Sequence, residues 1–202
     1  MAENRTAQPM DMEFKAATYG FWAAVIATTL VIFSGITAST ALKIPSLLSG
    51  ILLIPSFVLL MACIHEYAPA ERKAFSRLGS LFSIGYSVLI GFNYYMQVTL
   101  ANESLYSTQF DMTSSNSIMW VIEVLGYGFM GLSTLSAAWV FGNGTLEKLI
   151  RWLFVLNGIL GLGGMIGYAL HLSMSVLLGG LVAWDIIMPL STILLAVFFR
   201  TR

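Results

Sequence analysis

Residues Ser175–Phe199 read SVLLGGLVAWDIIMPLSTILLAVFF, an apolar run broken by one charge, Asp185. An α-helix rises 1.5 Å per residue, so about 20 apolar residues cross the hydrocarbon core of a bilayer. This run is long enough. An ionised carboxylate near the middle of such a helix costs at least about 2.5 kcal/mol when it faces lipid, so Asp185 is expected to face protein or water. The stretch therefore predicts an integral membrane protein, all-α, with a polar interior.

Composition agrees. The chain of 202 residues is 57% hydrophobic and only 10% charged, with a mean hydropathy of +0.82. Soluble domains carry about 25% charged residues. The net charge is zero, and no basic cluster could hold nucleic acid through several phosphate contacts. Cys63 is the single cysteine, which excludes an intrachain disulfide, CxxC redox chemistry and a cysteine-rich metal centre.

Five further runs precede the last one. Residues 1–17 form a polar tail, and one membrane domain is expected over 18–200. Its spans are predicted at about 18–40, 46–63, 75–100, 118–141, 149–170 and 175–199. The first is longer than the 7–15-residue core typical of a secretory signal peptide, although Ser39-Thr40-Ala41 is a passable cleavage site. Pro55 and Pro189 fall inside the second and sixth spans, where the carbonyl four residues earlier loses its helical donor. The connection at 101–117 is polar, has no Lys or Arg, and contains Asn102-Glu103-Ser104, a glycosylation acceptor pattern.

Six spans put both termini on one side. Arg5, Lys15, Arg72, Lys73, Arg77, Lys148, Arg151, Arg200 and Arg202 share that side, and only Lys43 lies on the other. By the positive-inside rule the predicted arrangement is a six-transmembrane-helix bundle with both termini cytoplasmic. Small residues at helical spacing, Gly163/Gly167, Ser133/Ala137 and Ser83/Ser87, are expected to let backbones approach. Packing within the chain is the expected use; a homo-oligomer through Gly163/Gly167 is the alternative.

Candidate functional residues follow from depth. Glu123 lies six residues past Ser117, about 9 Å below the outer surface, and Asn93 enters a similar layer from the third span. Tyr127 stands one turn below Glu123 on the same helix face. Asp185 and Asn157 fall near the midplane. These five groups predict a polar pocket opening outward, with Asp185 and Glu123 able to bind a cation, relay protons or recognise an amine. Asn157 alone reads as interhelical glue, and Tyr94 and Tyr95 as part of an interfacial aromatic belt. His65 and His171 lie on opposite faces of the membrane, about 30 Å apart, and cannot share a metal ion. No metal or other cofactor is expected.

The segments GYGFMGLSTLSAAWVF and IRWLFVLNGILGLGGMIGYAL resemble those of small bacterial membrane proteins, a likeness that implies no activity. It implies a bacterial plasma membrane as the location. The functional expectation is binding or translocation of a small solute or ion, with the lipid bilayer as the surrounding partner. Two alternatives stay open: an intramembrane lipid-modifying enzyme using Glu123 and Asp185 as acid and base, and a structural or regulatory subunit without its own chemistry.

Overall fold

The computed structural model describes residues 9–40, 42–100, 117–142 and 144–202, without the side chains of 9–14 and 174. The acceptor pattern at Asn102 and the rest of 101–116 lie outside the described residues. Six long helices make up the chain: α1 Pro9–Ser39, α2 Lys43–Tyr67, α3 Lys73–Leu100, α4 Ile118–Ala137, α5 Thr145–Ala169 and α6 Met174–Arg200. Two single 3₁₀ turns, Ala70–Arg72 and Ala138–Val140, lead into α3 and out of α4. Among the described residues there is no strand, and all six helices are long and apolar enough to cross a membrane.

The helices reach beyond the apolar runs that announce them. α1 begins at Pro9, a residue suited to the first helical position because its missing N–H would have no helical partner there. Nine residues of the expected polar tail are therefore helical, and residues 1–8 lie outside the described part. α4 starts where the Ser117 side chain accepts from Met119 N at 3.1 Å, an N-cap. α2 and α6 run on through Pro55 and Pro189.

Each helix packs on its neighbours in sequence, and α6 closes on α1, so the bundle is a ring of antiparallel neighbours. Closure is visible at both depths: the Thr28 hydroxyl donates to Thr192 Oγ1 at 2.7 Å, and Gly20 lies against the Phe199 ring. The start of α1 and the end of α6 thus share one face, the terminal face. The α1–α2 and α5–α6 turns lie on the distal face.

The two halves of the ring differ in filling. Towards the terminal face, Phe57, Phe141, Phe154 and Phe198 are fully buried. Phe141 meets Phe154 and Phe198 edge-on at 5.8 and 5.5 Å, and Phe198 meets Tyr67 at 4.7 Å. A buried carboxylate locks this end. Glu147 accepts from Tyr67 OH at 3.2 Å, Arg202 at 2.9 Å and Gly142 N at 3.0 Å, tying α2, the α4–α5 turn and the end of α6 together.

Small residues set the closest crossings, as the spacing predicts for Ser133/Ala137. Ser133 donates to Gly79 O at 2.7 Å, and Ala137 lies beside Gly79. The α4–α5 crossing uses Gly131, Gly158 and Gly161, whose backbones touch, in place of Gly163/Gly167. Gly167 lies against Leu172 and Leu177 of the same chain, while Gly163 has open space beside it. The outward surface is apolar, with Leu52, Leu81, Val88, Trp152, Val182 and Ile186 all exposed, which suits lipid and not water.

Candidate functional site

The distal half of the ring holds the polar cluster. On α3 the buried stripe Ser83, Tyr86, Ile90, Asn93 and Gln97 follows helical spacing and faces the interior. On α4 the corresponding face carries Glu123 and, one turn further in, Tyr127. Glu123 is 8% exposed, so it does not reach up to the surface. Its carboxylate accepts from the Asn93 amide and from Tyr94 OH, the latter at 2.7 Å. Gln97 in turn donates to Asn93 Oδ1 at 3.3 Å, which directs the Asn93 amide hydrogens at the acid.

The Tyr94 and Tyr127 hydroxyls are 3.2 Å apart. A tyrosine has one proton to give, and Tyr94 gives its own to Glu123, so Tyr127 donates to Tyr94. Two tyrosines and an amide thus converge on one acid. Tyr94 departs from the belt expected for it. Consecutive helical residues point about 100° apart, so Tyr94 and Tyr95 cannot both face lipid. Tyr95 is 63% exposed, and Tyr94 turns inward.

Gly50 of α2 makes that turn possible. A Cβ at this position would sit 2.6 Å from Tyr94 Cδ2 and closer still to Cε2. The ring lies directly on the α2 backbone.

A cavity of about 150 Å³ occupies the interior beside this network. Glu123 and Asp185 both line it, and so do four aromatic side chains, Tyr86, Tyr94, Tyr127 and Trp184. It reaches Ala38 and Ser46, in the last turn of α1 and the first of α2, and so extends to the distal end of the bundle. Trp184 is 7% exposed and meets Tyr127 edge-on at 4.9 Å. Asp185 differs from Glu123 in its partners: among the described residues, its carboxylate makes no hydrogen bond or ion pair. Pro189 has no N–H to give the Asp185 carbonyl, so that carbonyl lacks its helical donor.

A second cavity, of about 180 Å³, lies between α4, α5 and α6. Its walls are apolar, with Trp120, Val124, Leu160 and Leu177 among them, and Glu123 and Tyr127 at one end.

Four of the five residues singled out from the sequence, Asn93, Glu123, Tyr127 and Asp185, come together here, the first through its bond to Glu123. Asn157 does not. It is 1% exposed at the α4–α5 crossing and donates to Thr134 Oγ1 at 2.9 Å, the part expected of interhelical glue. Sequence reasoning passed over Tyr86, Gln97, Trp184 and Gly50. The spacing of Tyr86, Asn93 and Gln97 at steps of seven and four was the available signal for the α3 residues. No comparable signal marks Gly50 or Trp184. Among the described residues, no three His, Cys, Asp or Glu side chains gather where a metal ion could bind. His65 pairs instead with Ser76, at 2.7 Å.

The fold and site define a class: an all-helical protein with six membrane-length helices around a half-polar interior cavity. No protein family, curated protein or solved structure matches the chain.

Proposed function

We propose that the protein binds a small organic cation, an amine or ammonium, in the distal cavity and serves its passage into or through a membrane. One observation carries the reading: two carboxylates on different helices, Glu123 and Asp185, line one cavity walled by four aromatic rings. Aromatic faces attract a cation by about 0.5–2 kcal/mol each, depending on desolvation, and a carboxylate without protein partners supplies the counter-charge. Glu123 already accepts two donors, so Asp185 is the primary counter-ion and Glu123 shapes the wall nearer the distal end. Acid–base chemistry on a lipid would also need two carboxylates in reach of one substrate. The unpartnered state of Asp185 beside aromatic rings favours charge recognition over it.

The orientation belongs to the same proposal. Nine of the ten basic residues sit in the tail or on the terminal face, which makes that face cytoplasmic and opens the cavity outward. A bacterial plasma membrane is the proposed location.

The test is thermal unfolding of the protein in nanodiscs with tetramethylammonium, against tert-butanol as a neutral ligand of similar shape. Tetramethylammonium should raise the midpoint of the wild type, and tert-butanol should not. Asp185→Asn should fold, keep the wild-type midpoint without ligand, and lose the ligand-dependent rise. Equal responses to both compounds, or an undiminished rise in Asp185→Asn, would overturn the reading.

A further inference from the structure

The second cavity shares four lining residues with the first: Glu123, Tyr127, Leu181 and Trp184. The two spaces therefore lie back to back, divided by the Tyr127–Trp184 pair and Leu181. Their chemistry is opposite. The first presents both acids and the aromatic rings; the second is apolar apart from the end it shares with the first. Pockets for drug-sized ligands start at about 300 Å³. Neither space reaches that volume alone; only a ligand that occupied both, displacing part of the wall between them, would have it.

Space in the second cavity is kept open by missing side chains. Gly164 of α5 and Gly180 of α6 both line it, and a Cβ at either would touch nothing within 4 Å. Two glycines facing an unfilled space at the α5–α6 seam leave room there that a guest chain could occupy and that a larger side chain would fill. An apolar space of this kind suits an apolar guest.

We infer that the ligand is an alkylammonium, its cationic head between Asp185 and the aromatic rings and its single alkyl chain in the α4–α5–α6 cavity. The inference rests on the cation-binding reading of the first cavity and adds the tail. Leu181 and Trp184 form the waist that the chain passes, and the shared wall explains why one residue, Trp184, belongs to both spaces. The tail sets selectivity: a short ammonium fills only the first space, whereas a carboxylate of equal length is repelled by both acids.

The experiment is calorimetric titration of nanodisc-embedded protein, with empty nanodiscs subtracted, using tetramethylammonium, butyltrimethylammonium, hexyltrimethylammonium and hexanoate. Burying each added methylene is expected to tighten binding by about fourfold until the second cavity is full. Gly180→Leu and Gly164→Val, which put side chains into that space, should leave tetramethylammonium binding within twofold and remove the gain with chain length. The chain-length series on the wild type needs no substitution, so a variant that fails to fold does not protect the inference. If all three ammoniums bind alike, the tail site is refuted and the cation reading stands. If none binds, the cation reading itself fails. A gain with length that survives both glycine substitutions, or binding of hexanoate as tight as that of hexyltrimethylammonium, would also overturn the inference.

Discussion

Gly50→Ala probes how the acid is held without touching the acid. The new methyl would lie 2.6 Å from Tyr94 Cδ2 and nearer to Cε2, and ordinary contact begins at 3.4 Å. The ring must retreat by about 1 Å, and being rigid it carries its hydroxyl along. The Tyr94–Glu123 bond of 2.7 Å and the Tyr94–Tyr127 contact of 3.2 Å then both stretch past useful length. A hydrogen bond between helices in a bilayer is worth about 0.6 kcal/mol on average and at most about 1.7. Two such losses give about 1–3 kcal/mol, against which alanine returns up to about 1 kcal/mol of helix propensity. The net expectation is a destabilisation of about 1–2 kcal/mol, read from unfolding in mixed micelles. Gly163→Ala, where a Cβ meets open space, is the control and should be neutral or slightly stabilising. The decisive arm is the cycle with Tyr94→Ala. Without the ring the Gly50 substitution should cost nothing, because there is nothing left to displace. A cost that is the same with and without the Tyr94 ring would refute the reasoning, as would a wild-type-like Gly50→Ala.

Other sites give sharper single tests by the same unfolding assay. Glu147→Ala strips partners from Tyr67 and Gly142 N inside the terminal face and should cost about 2–3 kcal/mol. Arg202→Ala should cost under about 1 kcal/mol, because the Arg202 side chain is 50% exposed where Glu147 is 8%. Asn157 Oδ1 is buried with no partner among the described residues, so the pair Asn157→Leu with Thr134→Val should be close to neutral. Asn157→Asp, which places a charge there, should destabilise by several kcal/mol. His171 holds φ 56° at the α5–α6 turn. His171→Gly should be neutral to about 1 kcal/mol stabilising, and His171→Val should be about 1–2 kcal/mol worse than glycine.

The six helices are legible in the sequence because membrane insertion depends on summed apolarity, which a run such as Ser175–Phe199 states outright. Helix ends are not legible in the same way. Pro9–Lys15 is helical although polar, since a helix once started extends past the apolar part at little cost per residue. Glu123, Asp185, Tyr127 and Asn93 stand out because polar groups inside apolar runs are expensive and must be accounted for. Tyr94 is hidden for the opposite reason: aromatic residues are at home at the membrane interface, so its inward turn carries no signal in composition, and Trp184 is hidden because a large apolar side chain in mid-span can face lipid or interior alike. The role of Gly50 is hidden more deeply, because it depends on which side chain of α3 arrives at its surface.

The two acids answer different demands, and the difference follows from their neighbours. Glu123 sits one turn above Tyr127 and opposite Asn93 and Tyr94, so a carboxylate there is satisfied by the fold and stiffens it. Asp185 shares the cavity but has no donor from the fold, while Pro189 removes the backbone donor that would have served its carbonyl. Asp185 is exposed along α6 and has no donor from the fold, so its carboxylate contributes no pairing to the empty protein. A partner of opposite charge in the cavity would supply the pairing that the fold does not. If Asp185 contributed only to folding, its replacement by a neutral residue of the same shape would weaken the protein. On the geometry of the cavity, the replacement should instead leave the empty protein as stable as before, and remove only what depends on a bound cation.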